Sequence, residues 1–162
     1  MILEREYGDI VIRRDGEAVA FCHPVVVPGS VTVPELSLEV ETKIYDAGGE
    51  VQRWEGVLEK RGLSEENYLW QAVFDYDKIA LPLYMRSRRP GDWFRPAGMA
   101  GGRKKLQDYF VDEKVPRAKR DTVPVLATDR DVVWVVGMRT DERFLPDEGT
   151  KKLLFVSFRR VE

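Results

Sequence analysis

Between Leu36 and Ile44 the side chains alternate almost without fault. Leu36, Leu38, Val40, Thr42 and Ile44 fall on one side, Ser37, Glu39, Glu41 and Lys43 on the other. A period of two sends successive side chains to opposite faces, so the segment is read as a strand with one wet face, ending at Ala47-Gly48-Gly49. Upstream, Ile10 to Arg14 and Glu17 to Phe21 flank Asp15-Gly16, a dipeptide that supplies the positive backbone angles of a two-residue hairpin. Val51 to Trp54, Leu69 to Tyr76, Leu83 to Ser87, Val132 to Met138 and Leu153 to Arg159 are further strand candidates. One segment follows another period. From Arg103 to Glu113, Leu106, Tyr109 and Phe110 stand at i, i+3 and i+4, the mark of a short helix with one buried stripe. It ends at or before Pro116, whose ring disfavours helix in the residue ahead of it. Many short strands around one clear helix predict an α+β, mainly β, sandwich-like fold.

Length and composition set bounds on that picture. A chain of 162 residues with 43% apolar content buries one good core and has room for two packed subdomains. Patterning is compatible with residues 1–79 as a separate unit or as part of the same sandwich. Cys22 is the sole cysteine, which excludes an intrachain disulfide and a cysteine-built metal cage and fits a cytoplasmic setting. Glu4, Arg5, Glu6 and Asp9 stand where a signal peptide would need an apolar stretch. The longest wholly apolar run, Val132 to Val136, is far short of the roughly 20 residues that span a bilayer.

Charge changes the picture more. The totals, 26 basic against 28 acidic side chains, give a net charge of -2 and suggest nothing about polyanions. Divided at Ala80, residues 1–79 hold 8 basic and 16 acidic groups, and residues 80–162 hold 18 and 12. The expectation is an acidic β-rich region over 1–79, packed with the rest, and a basic region over 80–162 that faces nucleic acid. The density peaks from Arg86 to Arg120, where eleven Lys and Arg meet four acids, with Trp93, Phe94, Tyr109 and Phe110 interleaved.

Within that stretch each group has a candidate role. Arg86 and Arg88 at the end of a predicted strand project to one face, and Arg89 leads into Pro90-Gly91, a pair suited to a type II turn. Two such guanidinium groups have the geometry to hold phosphates, while Asp92 pairs with one of them or staples the turn. Trp93 and Phe94 either stack on bases or belong to the core, as aromatics beside a turn more often do. Arg95 extends the cluster, and Gly98, Gly101 and Gly102 loosen the approach to Arg103. Arg103, Lys104 and Lys105 are expected in the helix's first turn, where basic groups are unfavourable by about 0.3 to 1 kcal/mol each. A bound phosphate would reverse that sign. Arg117, Lys119 and Arg120 carry the patch past Pro116, and Arg139 and Arg143 bracket Thr140-Asp141-Glu142, either as further contacts or as an exposed hairpin tip.

Catalytic constellations do not stand out. His23 is the sole histidine and sits beside Cys22, and neighbours on a strand point to opposite faces. There is no Gly-x-x-x-x-Gly-Lys-Ser/Thr loop and no Gly-x-Gly-x-x-Gly opening a helix after a strand. The carboxylates form no paired motif suited to metal binding or acid/base work.

The run Arg-x-Arg-Arg-Pro-Gly-Asp from Arg86 to Asp92, Arg103-Lys104-Lys105-Leu106, Lys114-Val115-Pro116, Arg120 followed by Pro124, and Gly137 to Arg139 together resemble the C-terminal domain of the tRNA(Ile)-lysidine synthetase family. The resemblance covers the second half of the chain; before Leu81 only general β character matches. It implies a fold similar to a domain of the phenylalanyl-tRNA synthetase β subunit. It also implies a tRNA-binding role: holding an isoleucine tRNA by its acceptor stem and body while a separate N-terminal domain uses ATP to attach lysine to the wobble cytidine. The Ser-Gly-Gly-x-Asp-Ser loop of that catalytic domain does not occur here. The chain is therefore expected to be the C-terminal portion of an ATP-dependent ligase, as a fragment or, second, as a domain encoded alone, inactive by itself and without a cofactor of its own, partnered by tRNA and by the catalytic domain. Arg86, Arg88, Arg89, Arg95, Arg103, Lys104, Lys105, Arg117, Lys119, Arg120, Arg139 and Arg143 are the candidate nucleic-acid contacts. The competing expectation is a protein-interaction domain whose basic face docks an acidic partner or the catalytic domain. A self-contained enzyme has only the abundant carboxylates in its favour.

Overall fold

The computed structural model describes residues 2–6, 9–13, 20–47, 69–100 and 102–161. Twelve strands appear among them, numbered in chain order. β1 (Ile2–Glu6) and β2 (Asp9–Arg13) form a two-stranded antiparallel hairpin. The strand predicted at Ile10 to Arg14 thus finds its partner upstream, whereas most of its expected partner, with the Asp15-Gly16 turn, lies outside the described residues, as does Val51 to Trp54.

Two four-stranded antiparallel sheets make up the body. One runs β11 (Val132–Val135), β10 (Val125–Ala127), β7 (Leu83–Arg86), β3 (Cys22–Val25); the other runs β4 (Gly29–Val33), β5 (Leu38–Asp46), β12 (Lys152–Arg160), β6 (Trp70–Asp75). The alternating segment forms β5, with Leu38, Val40 and Thr42 buried. It begins two residues later than its pattern suggests. Pro34 opens a short 3-10 turn over Pro34–Leu36, and Ser37 follows at φ 52, so Leu36 belongs to the turn. Chain halves interleave in both sheets: β3 pairs with β7, and β5 pairs with β12 along nine register positions.

Between the sheets lies the first core, with Val33, Leu38, Val40, Phe74, Leu154, Val156 and Phe158 from one side and Leu83, Met85, Leu126 and Trp134 from the other. A second core sits on the opposite face of β10 and β11. There Val125, Ala127, Val132 and Val135 meet Phe94, Leu106, Tyr109 and Phe110. The register shift between Leu126 and Ala127 places one extra residue in β11, a bulge of the kind that re-aims neighbouring side chains. Strands buried on both faces need an unbroken apolar run, and Val132 to Val136 supplies it.

The helix α1 (Leu106–Asp112) covers the second core and buries Leu106, Tyr109 and Phe110, the predicted stripe. Its start corrects the sequence expectation. Lys104–Lys105 forms the short strand β9, paired with β8 (Trp93–Phe94), and Lys105 is only the residue preceding the helix. The lysines are held by backbone pairing to the aromatic segment, which the 3.6-residue pattern could not register. β11 also ends earlier than predicted, because Val136 and Gly137 turn the chain, Gly137 at φ +82. A Cβ there would lie 3.0 Å from the Trp70 indole, so the turn is closed against β6 only by a glycine.

Candidate nucleic-acid interface

The turn after β7 is built around one carboxylate. Gly91 has φ +86 and the Asp92 N–H donates to the Arg89 carbonyl at 3.1 Å, as the type II reading of Pro90-Gly91 requires. Asp92 accepts a bidentate pair from Arg86, 2.8 and 3.0 Å from the two guanidinium nitrogens, and a third bond of 2.7 Å from the Arg89 N–H. Arg86 is buried, and its remaining bond goes to the Ser87 carbonyl at 3.2 Å. The residue that staples the turn is therefore Arg86, with Arg89 contributing only backbone. The Arg89 side chain is exposed, its Nη2 3.6 Å from Cys22 Sγ.

Asp92 also fixes the helix. Its carbonyl accepts the Leu106 N–H at 2.9 Å, so the first helical amide already has a partner. With seven residues in the helix and the lysines outside it, the expected phosphate cradle at the helix start does not form. Lys104 instead pairs with Asp112 along the helix flank, while Lys105 is exposed. Arg103, Lys104, Lys105, Asp108, Val111 and Asp112 line a shallow cleft of about 480 Å³.

A fully buried carboxylate joins the Arg95 and Arg143 segments. Asp141 is fully buried and accepts the Arg95 N–H at 2.9 Å, the Arg143 N–H at 2.8 Å, and the Arg143 Nε and Nη2 at 3.0 and 2.8 Å. Segments 95–97 and 140–142 are further joined through Ala97 N–H to the Thr140 carbonyl and Glu142 N–H to the Arg95 carbonyl, both 2.9 Å. The Thr140-Asp141-Glu142 segment is thus a seam with its aspartate inside, and the exposed-tip reading does not apply. Asp131 accepts a further bond from Arg143 at 3.2 Å. The hydrogen bonds to Asp141 hold the Arg143 pKa above its ordinary value, against the opposing effect of burial.

The aromatic pair divides. Phe94 is fully buried and meets Tyr109 edge-on at 4.9 Å, so it is core. Trp93 is half-buried and carries two guanidinium groups over its ring, Arg103 at 4.0 Å and Arg143 at 4.7 Å from the centroid.

The remaining candidates separate by what already holds them. Arg88 donates to Asp121 at 2.8 Å and lies over Phe110 at 5.8 Å. Arg120 donates to the Val115 carbonyl at 3.1 Å, and Arg139 to the Ala97 carbonyl at 2.8 Å. Lys119 is half-buried within the 3-10 segment Arg117–Thr122. Arg95, Lys105 and Arg117 are exposed and, among the described residues, have no carboxylate within ion-pair distance. Lys114, exposed at φ 56 on the turn after α1, belongs with them. Sequence reasoning treated it as part of a motif and overlooked it as a cation, although the acidic Asp112-Glu113 just before it end with the helix and leave it unopposed. No group of three or more His, Cys, Asp or Glu among the described residues has the arrangement of a metal site, and no helix there is long and apolar enough to cross a membrane.

Comparison with known proteins places these features. Residues 83–157 match the family model described as the TilS substrate C-terminal domain. The chain is 40% identical over 144 residues to the tRNA(Ile)-lysidine synthase of Symbiobacterium thermophilum, covering 89% of this chain and 27% of that protein. It is 34% identical over 154 residues to that of Caldanaerobacter subterraneus subsp. tengcongensis, covering 94% and 30%. The chain thus spans less than a third of the length of these two relatives. Among solved structures, one titled as the crystal structure of the TILS C-terminal domain superposes with a TM-score of 0.65 at 21% identity, covering 89% of this chain and 99% of the other. An N-terminal fragment of the phenylalanyl-tRNA synthetase β subunit from Pyrococcus horikoshii gives 0.51 at 14% identity, covering 74% and 39%. Both show the same fold.

Proposed function

From the match of residues 83–157 to the TilS substrate C-terminal domain family we propose that the chain is the tRNA-binding part of a tRNA(Ile)-lysidine synthase. It holds the isoleucine tRNA while a separate domain of the same protein, using ATP and lysine, modifies the wobble cytidine. The observation that carries this reading is the division of the basic groups. Arg86, Arg88 and Arg143 are neutralised by Asp92, Asp121, Asp131 and Asp141 and shape the surface. Arg95, Lys105, Lys114 and Arg117 remain exposed and unpaired among the described residues, and a surface that keeps its cations free is suited to phosphates.

Such a surface reads base-paired RNA by shape and backbone more than by sequence. Binding of isoleucine tRNA to the purified chain should weaken steeply with salt, because each neutralised phosphate releases counterions. Replacing Arg95, Lys105 and Arg117 together with alanine should leave folding intact and lower the salt slope by up to about three, one per lost contact. With ATP, lysine and tRNA supplied, the chain alone should form no lysidine. Failure to bind tRNA at low salt, combined with salt-sensitive binding to the catalytic domain, would favour the protein-docking alternative.

A further inference from the structure

We propose that Trp93 is a positioning residue: its indole, braced by Arg143 and the buried Asp141, holds the Arg103 guanidinium in place as a preformed phosphate clamp at the mouth of the Arg103–Lys105 cleft. The inference rests on the tRNA-binding reading and names which group within that surface is preorganised.

Four observations join here. Arg103 follows Gly102, a residue that loosens the backbone, and it is exposed, so nothing local would fix its side chain. Its guanidinium nevertheless lies 4.0 Å over the Trp93 ring, and among the described residues no carboxylate pairs with it. Trp93 is itself fixed, its backbone in register with Lys105 in the β8–β9 ladder and its ring under Arg143 at 4.7 Å. Arg143 is anchored by three side-chain bonds to Asp141 and Asp131 and by its own N–H to Asp141. Arg103 and Arg143 therefore have different tasks at one indole. Arg143 has its charge balanced by aspartates; Arg103 keeps a free charge.

Stacking a guanidinium on an aromatic face leaves its in-plane N–H donors open for a bidentate bond to phosphate. It also removes the ordering cost that a long, mobile side chain otherwise meets on binding. Lysine substitutes poorly, since an ammonium keeps a cation–π attraction but has no plane to stack and no fork to present.

The proposal makes a prediction of unusual sign. Asp141→Asn removes a negative charge next to the basic face, so overall electrostatics alone predicts tighter RNA binding. If Asp141 instead braces the platform, binding weakens. Trp93→Leu, which changes no charge, should weaken tRNA binding by about 2- to 30-fold, the span a cation–π contact supplies, and lower the salt slope by about one. Trp93→Phe should recover much of that loss. Arg103→Lys should behave like Trp93→Leu; if Trp93 instead stacked on a base, Arg103→Lys would bind nearly as the parent chain does.

Two readouts keep the conclusions separate. NMR of the Arg103 Nε–Hε group in the free chain should show an ordered, ring-shifted signal, lost in Trp93→Leu and weakened in Asp141→Asn while thermal unfolding stays cooperative. A mobile Arg103 in the parent chain, or Asp141→Asn binding more tightly, overturns the proposal. An ordered Arg103 in a chain that binds no tRNA overturns the tRNA-binding reading and leaves the ordering itself established.

Discussion

At the scale of residues, the basic stretch depends on two aspartates that no count of positive charge would single out. Asp92 accepts from Arg86 twice and from the Arg89 N–H once, and the Arg86 and Asp92 side chains are 8% and 11% exposed. Removing one member of such a buried pair strands the other charge away from water. Asp92→Ala should therefore cost about 3 to 5 kcal/mol of stability, read from the shift in a urea unfolding midpoint. Replacing both, with Arg86→Met added, should recover part of that loss, because no lone charge is left. A loss below about 1 kcal/mol for Asp92→Ala would mean that Arg86 reaches solvent once released. The motif from Arg86 to Asp92 was legible as a turn with paired charges. Which arginine pairs was not, since Asp92 is held through its carbonyl by the Leu106 N–H, a residue not adjacent in sequence.

Among elements, the helix shows both the strength and the limit of periodicity. Leu106, Tyr109 and Phe110 were readable as a buried stripe because a 3.6-residue repeat reports burial directly. The start was misplaced by three residues because helical and extended backbone differ by hydrogen bonding, and Lys104 and Lys105 pair with Trp93 and Phe94 across a loop. A comparable tie joins two segments distant in sequence. Lys78, in the 3-10 turn after β6, donates to Asp147 at 2.6 Å and to the Leu145 carbonyl at 3.0 Å. The hydrogen bond from Lys78 leads the effects that hold the Asp147 pKa below the ordinary aspartate value, with the Gly149 N–H next. A depressed folded pKa contributes stability that is fully present above the unfolded value and is lost as pH falls through the folded one. Asp147→Asn should thus lower stability at neutral pH, and the two unfolding-versus-pH curves should converge as pH drops below the ordinary aspartate range. The gap should be small, since the Asp147 side chain is 59% exposed; a gap that persists unchanged into acid would mean that the charge of Asp147 is not what the tie contributes.

For the molecule as a whole, sequence patterning conveyed the class of fold and the side of the chain that carries positive charge, but not the sheet order. Alternation in β5 states that one face is wet; it does not state that the neighbours are β4 and β12. Long-range antiparallel pairing leaves little local trace, so a chain divided into acidic and basic halves by composition is woven into common sheets in space. The run Val132 to Val136 was the nearest thing to a topological signal, because only a strand covered on both sides tolerates five apolar residues in succession. That strand and its neighbour β10 lie between the two cores, with a time-domain consequence. Loosening either outer layer alone leaves the strands covered by the other, so solvent reaches their amides only when both layers have opened. In a hydrogen–deuterium exchange experiment the ladder amides of Val125 to Ala127 and Val132 to Val135 should be the last to exchange, at rates set by global unfolding. Amides of β8 and β9, roofed on one side only, should exchange first among the paired strands of residues 83–160.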